Sequence, residues 1–97
     1  MSPKEACEYA RECGPSNETR EIACESPVWA YIYAWIIDRN PRNETREAAS
    51  KNSKYAYFYA LNVDQEARND TWLAVKNTEY EEKYKKIFNE PIKEKII

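Results

Sequence analysis

Apolar residues near the C-terminus recur with helical spacing. The apolar residues of segment 78–88, TEYEEKYKKIF, stand at i, i+4, i+7 and i+8, namely Tyr80, Tyr84, Ile87 and Phe88. This spacing places them on one face of an α-helix and fits no strand. The segment 28–37, VWAYIYAWII, is ambiguous by itself, because its apolar residues also fit the alternation of a buried strand. Comparison with its internal copies favours a helix there too.

The chain repeats itself at a period of about 25 residues. Segments 30–45 and 56–71 are identical at eight of sixteen positions, at a constant offset of 26. Two marks recur in step: a Tyr in helix A, at Tyr9, Tyr33, Tyr59 and Tyr84, and Asn-Glu/Asp-Thr, beginning at Asn17, Asn43 and Asn69. Repeats of such length indicate stacked supersecondary units. We therefore predict one all-α domain over 1–97, a small solenoid or bundle of about three and a half helix pairs, with units at about 2–25, 26–52, 53–77 and 78–97.

Each unit is predicted to hold a longer helix A and a shorter helix B. Helix A is expected at 3–13, 27–39, 54–66 and 79–89, and helix B at 18–25, 44–51 and 70–77. Ser2-Pro3 and Ser26-Pro27 are typical helix starts, and Ser2 with Glu5 and Thr78 with Glu81 fit capping boxes. The recurring Asn is the expected N-cap of helix B. Asn-x-Thr is also a glycosylation sequon, which is the alternative interpretation of this mark.

The central copies of helix A are apolar on two faces. A wheel at 100° per residue puts one set on one face and a second set opposite, namely Trp29, Tyr33, Ile36 and Ile37 against Tyr31, Ala34, Trp35 and Asp38. We therefore expect neighbours on both sides, with close helix approach at the Ala pairs 30/34 and 56/60. The corresponding second face is polar in the end copies, at Cys7 and Arg11 and at Glu82 and Lys86, as in a stacked array that terminates.

Composition narrows the class of protein. The net charge of −2 argues against a dedicated nucleic-acid binder. The single glycine, Gly14, cannot serve the many tight turns of a β-rich fold. Three cysteines in the first quarter indicate reduced thiols and a cytoplasmic protein, with a Cys7–Cys13 bridge as the alternative. We expect neither a signal peptide nor a membrane span.

No catalytic, metal or cofactor site is predicted. Histidine, the usual acid–base residue, is absent, and one glycine cannot form a phosphate-binding loop. The carboxylates recur on faces predicted to be solvated. Cys24, near Arg20 on helix B, is either a thiol with a depressed pKa or an incidental one.

The candidate partner-binding residues are aromatic and basic: Trp35, Arg39, Arg42, Arg46, Arg68 and Trp72. Arg42 and Arg68 could bind phosphate or an acidic partner, or bond the preceding helix end or the recurring Asp38 and Asp64. Arg46 and Trp72 occupy equivalent positions, so Trp72 is either core or an anchor for a partner. The alternatives are single-stranded nucleic-acid binding through an Arg/aromatic strip and a structural homo-oligomer.

Two segments, SPVWAYIYAWIIDRNPRNE and SKYAYFYALNVDQEARND, carry a family resemblance. They resemble the short tyrosine-rich helix-pair repeats of uncharacterised phage and large-virus proteins, over residues 26–77. Asn40-Pro41-Arg42 and Glu66-Ala67-Arg68 stand where that family has a Gly-Arg turn. The resemblance implies a viral origin and a helical repeat, but no activity. By analogy with small phage proteins that inhibit host defence, anti-CRISPR proteins included, we predict a non-enzymatic module, monomeric or homodimeric, that occludes a host protein in the host cytoplasm.

Overall fold

The computed structural model describes residues 1–88, and this part of the chain is helical without a β-strand. Its α-helices are α1 (Pro3–Cys13), α2 (Asn17–Ala23), α3 (Pro27–Ile32), α4 (Asn43–Ala49), α5 (Ser53–Tyr59), α6 (Asn69–Val75) and α7 (Glu81–Phe88). Helices α3 and α5 continue directly into π-helical segments, Tyr33–Asp38 and Ala60–Asp64. The all-α prediction and its alternation of longer and shorter helices are confirmed. The end of the fourth unit, including the predicted helix residue Asn89, lies outside the described residues.

The helix starts follow the predicted chemistry at α1 and at α3, where Ser26 is the N-cap and Pro27 the first helical residue, and depart from it at α7. At α1 the Glu5 amide donates to Ser2 Oγ (3.1 Å) and the Ser2 amide donates to Glu5 Oε1 (2.8 Å), which completes the capping box. The hydrogen bond that the Ser2 amide donates to the carboxylate lowers the pKa of Glu5. The box predicted for Thr78 and Glu81 does not form, because Glu81 Oε1 accepts from the Asn77 amide instead (2.7 Å).

The recurring Asn is not the N-cap of helix B. Asn17 and Asn43 are the first helical residues, and the caps are Ser16 and Arg42. The Asn17 Oδ1 accepts a hydrogen bond from Arg20 Nη1 (2.8 Å), and Asn43 does the same for Arg46 (2.8 Å). The prediction was wrong because helix B begins one residue earlier than expected in all three units, Asn69 with its cap Arg68 included. In the first two units the Asn oxygen is engaged by the arginine one turn onward.

The π-helical segments change which side chains face outward. Each segment ends at a left-handed residue, Arg39 (φ 53°) or Gln65 (φ 56°), whose amide donates to a carbonyl five residues back. The wider turn departs from the 100° spacing assumed for the wheel. Trp35 and Ile36 are therefore exposed by 45% and 42%, and Asp38 turns its side chain inward.

Each contact between successive units has its own small core around one tyrosine. The three tyrosines, Tyr33, Tyr59 and Tyr84, are fully buried and lie in three separate clusters. The alanines at 30, 34, 56 and 60, where close helix approach was expected, are also fully buried. Stacking of this kind gives an elongated molecule of 42 × 21 × 19 Å.

The first unit presents a different face from the one predicted. Cys7 was expected on a polar outer face, but it is buried against the second unit. Tyr9, the counterpart of the three buried tyrosines, is 55% exposed. Tyr33, Tyr59 and Tyr84 each pack against the unit before them. Among residues 1–88, no earlier unit covers Tyr9.

Candidate functional site

A buried tyrosine hydroxyl joins each unit to the one before it. Tyr59 Oη lies 2.7 Å from Thr45 Oγ1, accepts from the Arg42 amide (3.0 Å) and lies 3.1 Å from the Arg42 carbonyl. Tyr33 and Tyr84 make the same contacts with Thr19 and Thr71. The hydroxyl thus bonds polar groups at the start of helix B, where the first backbone amides have no partner within the helix. Burial raises the pKa of Tyr59.

A buried ion pair accompanies two of the three tyrosines. Arg46 Nη2 lies 2.7 Å from Asp64 Oδ1 and Nε lies 2.9 Å from Oδ2, with both side chains at most 4% exposed. Arg20 and Asp38 form the same bidentate pair, at 2.7 and 2.8 Å. The Arg46 guanidinium also lies over the Tyr59 ring, 5.7 Å from its centroid. The prediction that the carboxylates are solvated is therefore wrong for Asp38 and Asp64.

In the third unit a tryptophan replaces the arginine. The Trp72 ring lies 5.7 Å from the Tyr84 ring, so an indole occupies the place over the tyrosine that the guanidinium holds in the other units. In the sequence, the position five residues after the tyrosine is Asp38, Asp64 and then Asn89. The arginine and the aspartate are thus lost from the repeat together. This joint recurrence was the sequence signal that could have revealed the ion pairs.

Burial separates the six candidate binding residues into two groups. Arg46 and Trp72 are 3% and 6% exposed, so they stabilise the fold and are not presented to a partner. Arg42 and Arg68 keep 45% of their side chains exposed. Arg42 Nε lies 3.4 Å from Asp38, so the predicted alternative of a bond to the recurring aspartate is confirmed for Arg42. Arg68 instead pairs with the exposed Glu66 (3.1 Å) and not with Asp64.

Trp35 and Arg39 line the same groove at the exposed end of the second helix A. We call Trp35, Ile36 and Arg39 the helix-end surface. The Trp35 ring stacks on Tyr31 with centroids 5.4 Å apart and planes 18° apart. Sequence reasoning missed Ile36 as a surface residue because the wheel placed it with the buried Tyr33. The equivalent pair in the first unit is Arg11 and Glu12, and in the third Leu61 and Asn62, so only the second unit places two large apolar side chains there.

The cysteine thiols are free, and two of them are poor nucleophiles. Burial raises the pKa of Cys24 to about 11 and outweighs the opposing effect of Arg20. The alternative of an activated thiol at Cys24 is therefore wrong. Burial also raises the pKa of Cys7 to about 11, and its thiol donates to the Trp29 carbonyl at 3.6 Å. The Cys7–Cys13 bridge is not formed.

Within residues 1–88, no three potential metal ligands come together, and none of the helices has the length and apolar character needed to cross a bilayer. No family model, curated protein or solved structure matches the chain. The similarity to phage and large-virus repeats thus stays a prediction.

Proposed function

We propose that this chain is a non-enzymatic protein-binding module whose contact face is the helix-end surface. The observation that carries the proposal is the exposed pair Trp35 and Ile36 beside Arg39. Trp and Arg are enriched among the residues that dominate binding energy at protein interfaces. Here they occur together at a helix end, on a scaffold whose recurring residues, such as Tyr59 and Arg46, hold one unit to the next.

The scaffold suits binding by occlusion. The buried tyrosine and arginine networks give each unit a defined position, so a surface residue is held in place before a partner arrives. Such preorganisation reduces the entropy lost on association. The stacking of Trp35 on Tyr31 also reduces this entropy loss, because it restricts the rotation of the indole side chain before a partner binds.

The class of partner that we propose is a host protein, on the analogy of size and of the resemblance to viral repeats. A host-defence complex, as for an anti-CRISPR protein, is the first target to test. In this proposal the protein acts in the host cytoplasm.

The experiment is affinity capture from a bacterial lysate with the wild-type protein, a Trp35→Ser/Arg39→Ser variant and a Leu73→Ser variant. Leu73 is the matched control, because it is 52% exposed and lies outside the helix-end surface. We expect a protein retained by the wild type and by the control and lost with the double variant, with all three showing the same circular dichroism. Retention of no protein by the folded wild type would contradict the proposed function. Equal retention by the double variant would contradict the proposed face.

A further inference from the structure

We infer that the helix-end surface recognises an acidic protein segment that carries an aromatic or aliphatic side chain. The inference rests on the proposed function and adds the chemistry of the partner. It is drawn from the charge of the two grooves that flank Arg39, from the lack of a partner for its guanidinium within the described part of the chain, and from the apolar residues beside it.

Arg39 lies between two open grooves that carry positive charge and no carboxylate. The first groove runs between the ends of the first and second A helices and includes Arg11, Gly14, Pro15, Ile36 and Arg39. The second groove lies between the second and third A helices and includes Trp35, Arg39, Asn62 and Gln65. Neither groove is lined by Asp or Glu, although acidic residues outnumber basic ones in the whole chain. An incoming carboxylate therefore meets a guanidinium without a competing carboxylate in the groove.

The Arg39 guanidinium has no hydrogen-bond or ion-pair partner among residues 1–88. Its backbone adopts the left-handed conformation at φ 53°, which is unfavourable for a residue with a side chain. Gln65 has the same conformation at the equivalent position, so the turn belongs to the repeat. At this turn the second unit places the Arg39 guanidinium, and the N–H donors of a guanidinium bind a carboxylate with two parallel hydrogen bonds.

The apolar residues of the helix-end surface lie beside this guanidinium. Trp35 lines one groove and Ile36 the other, and both are more than 40% exposed. An apolar side chain of the partner can remove these surfaces from water while its carboxylates reach Arg39. Burial of the apolar area then supplies affinity, and the charges supply orientation and specificity.

The charges around the grooves favour a short acidic protein segment over a nucleic acid. Glu8 and Glu12 line a depression beside Arg11, next to the first groove. Residues 1–27 carry six acidic and three basic side chains. A long phosphate backbone needs a continuous basic track, and these carboxylates interrupt it. In addition, Arg46, one of the arginines of the predicted Arg/aromatic strip, is buried in its pair with Asp64.

The test is a selection from a random peptide display library against the immobilised wild-type protein, an Arg39→Glu variant and a Lys51→Glu variant. Lys51 is exposed and lines neither groove, so its substitution changes the net charge by the same amount outside the surface. We expect the wild type and Lys51→Glu to select peptides rich in Asp and Glu together with Phe, Trp or Leu. Arg39→Glu should lose this acidic preference, and a selected peptide should bind it about tenfold or more weakly.

Three outcomes would overturn the inference: no enriched peptide, enrichment of neutral or basic peptides, or an acidic preference that survives Arg39→Glu. A mobility shift with a single-stranded oligonucleotide at low salt, abolished by Arg39→Glu, would assign the surface to nucleic acid instead. The library needs no cellular partner, so its result is independent of the lysate capture. If the lysate yields no partner but the library yields acidic peptides, only the proposed function is refuted. If the lysate yields a partner but the library shows no acidic preference, only the chemistry inferred for the partner is refuted.

Discussion

The pairing of Arg46 with Asp64 predicts that two damaging substitutions largely compensate each other. The perturbations are Asp64→Asn, Arg46→Trp and the two combined. The combined variant carries the residues that the sequence has at the equivalent positions, Trp72 and Asn89. Asp64→Asn leaves a buried guanidinium without its carboxylate, and Arg46→Trp leaves a buried carboxylate without its cation. The combined variant leaves neither charge.

The burial and geometry of the pair set the magnitude. The two side chains are 4% and 0% exposed and joined at 2.7 Å, so removing one partner should lower the free energy of unfolding by about 3–5 kcal/mol. A buried ion pair replaced by packed apolar groups is often neutral. The Trp72 ring lies 5.7 Å from Tyr84, the distance at which Arg46 lies over Tyr59, so an indole fits this place. The double variant should therefore lose only about 1–3 kcal/mol, which is the cost of the buried Asn amide that remains at position 64.

The assay is urea unfolding of the four proteins, followed by far-ultraviolet circular dichroism. A chain of this length is expected to have roughly 5–15 kcal/mol of stability, so the single variants remain measurable. The coupling energy from the cycle should be at least about 3 kcal/mol. If the double variant instead loses the sum of the two single losses, the two residues are not coupled and the reasoning fails.

The remaining predictions concern the inter-unit hydroxyl, the left-handed turn and the thiol. Tyr59→Phe should cost about 1–3 kcal/mol, because Thr45 and a backbone amide lose a buried partner; Tyr9→Phe, at an exposed equivalent position, should cost under about 0.5 kcal/mol, and equal losses in chemical denaturation would contradict the proposed role of the hydroxyl. Gln65→Gly should raise the free energy of unfolding by about 1 kcal/mol, since glycine adopts φ 56° without strain; Gln65→Ala serves as the control and should show no such gain in thermal unfolding. The pKa of Cys7 rises from 9.0 to about 11 on folding, so above pH 9 the unfolded chain loses this proton first and stability falls until about pH 11. Denaturant titrations at a series of pH values should show a shallower decline for Cys7→Ala, by up to about 1.4 kcal/mol per pH unit, and an unchanged slope would refute this assignment.

The sequence by itself determined the helical repeat, because local signals of several kinds agree. Apolar spacing at 78–88, the Ser2-Pro3 start and the offset of 26 between copies each favour helices, and α1 begins and ends at the predicted residues. Such signals act within one or two helical turns or within one repeat. They require no knowledge of which surfaces meet.

Only the tertiary structure decided which side chains are buried at the end of each helix A. The π-helical turn after Ile32 exposes Trp35 and directs Asp38 inward, and a wheel with constant spacing contains no such change. Asp38 is stable there because Arg20, eighteen residues earlier in the chain, supplies two hydrogen bonds to its carboxylate. Burial of a charge is favourable only when its partner is in place, and the fold brings that partner from another helix. The same packing leaves Arg39 at the surface, with no hydrogen-bond or ion-pair partner among residues 1–88.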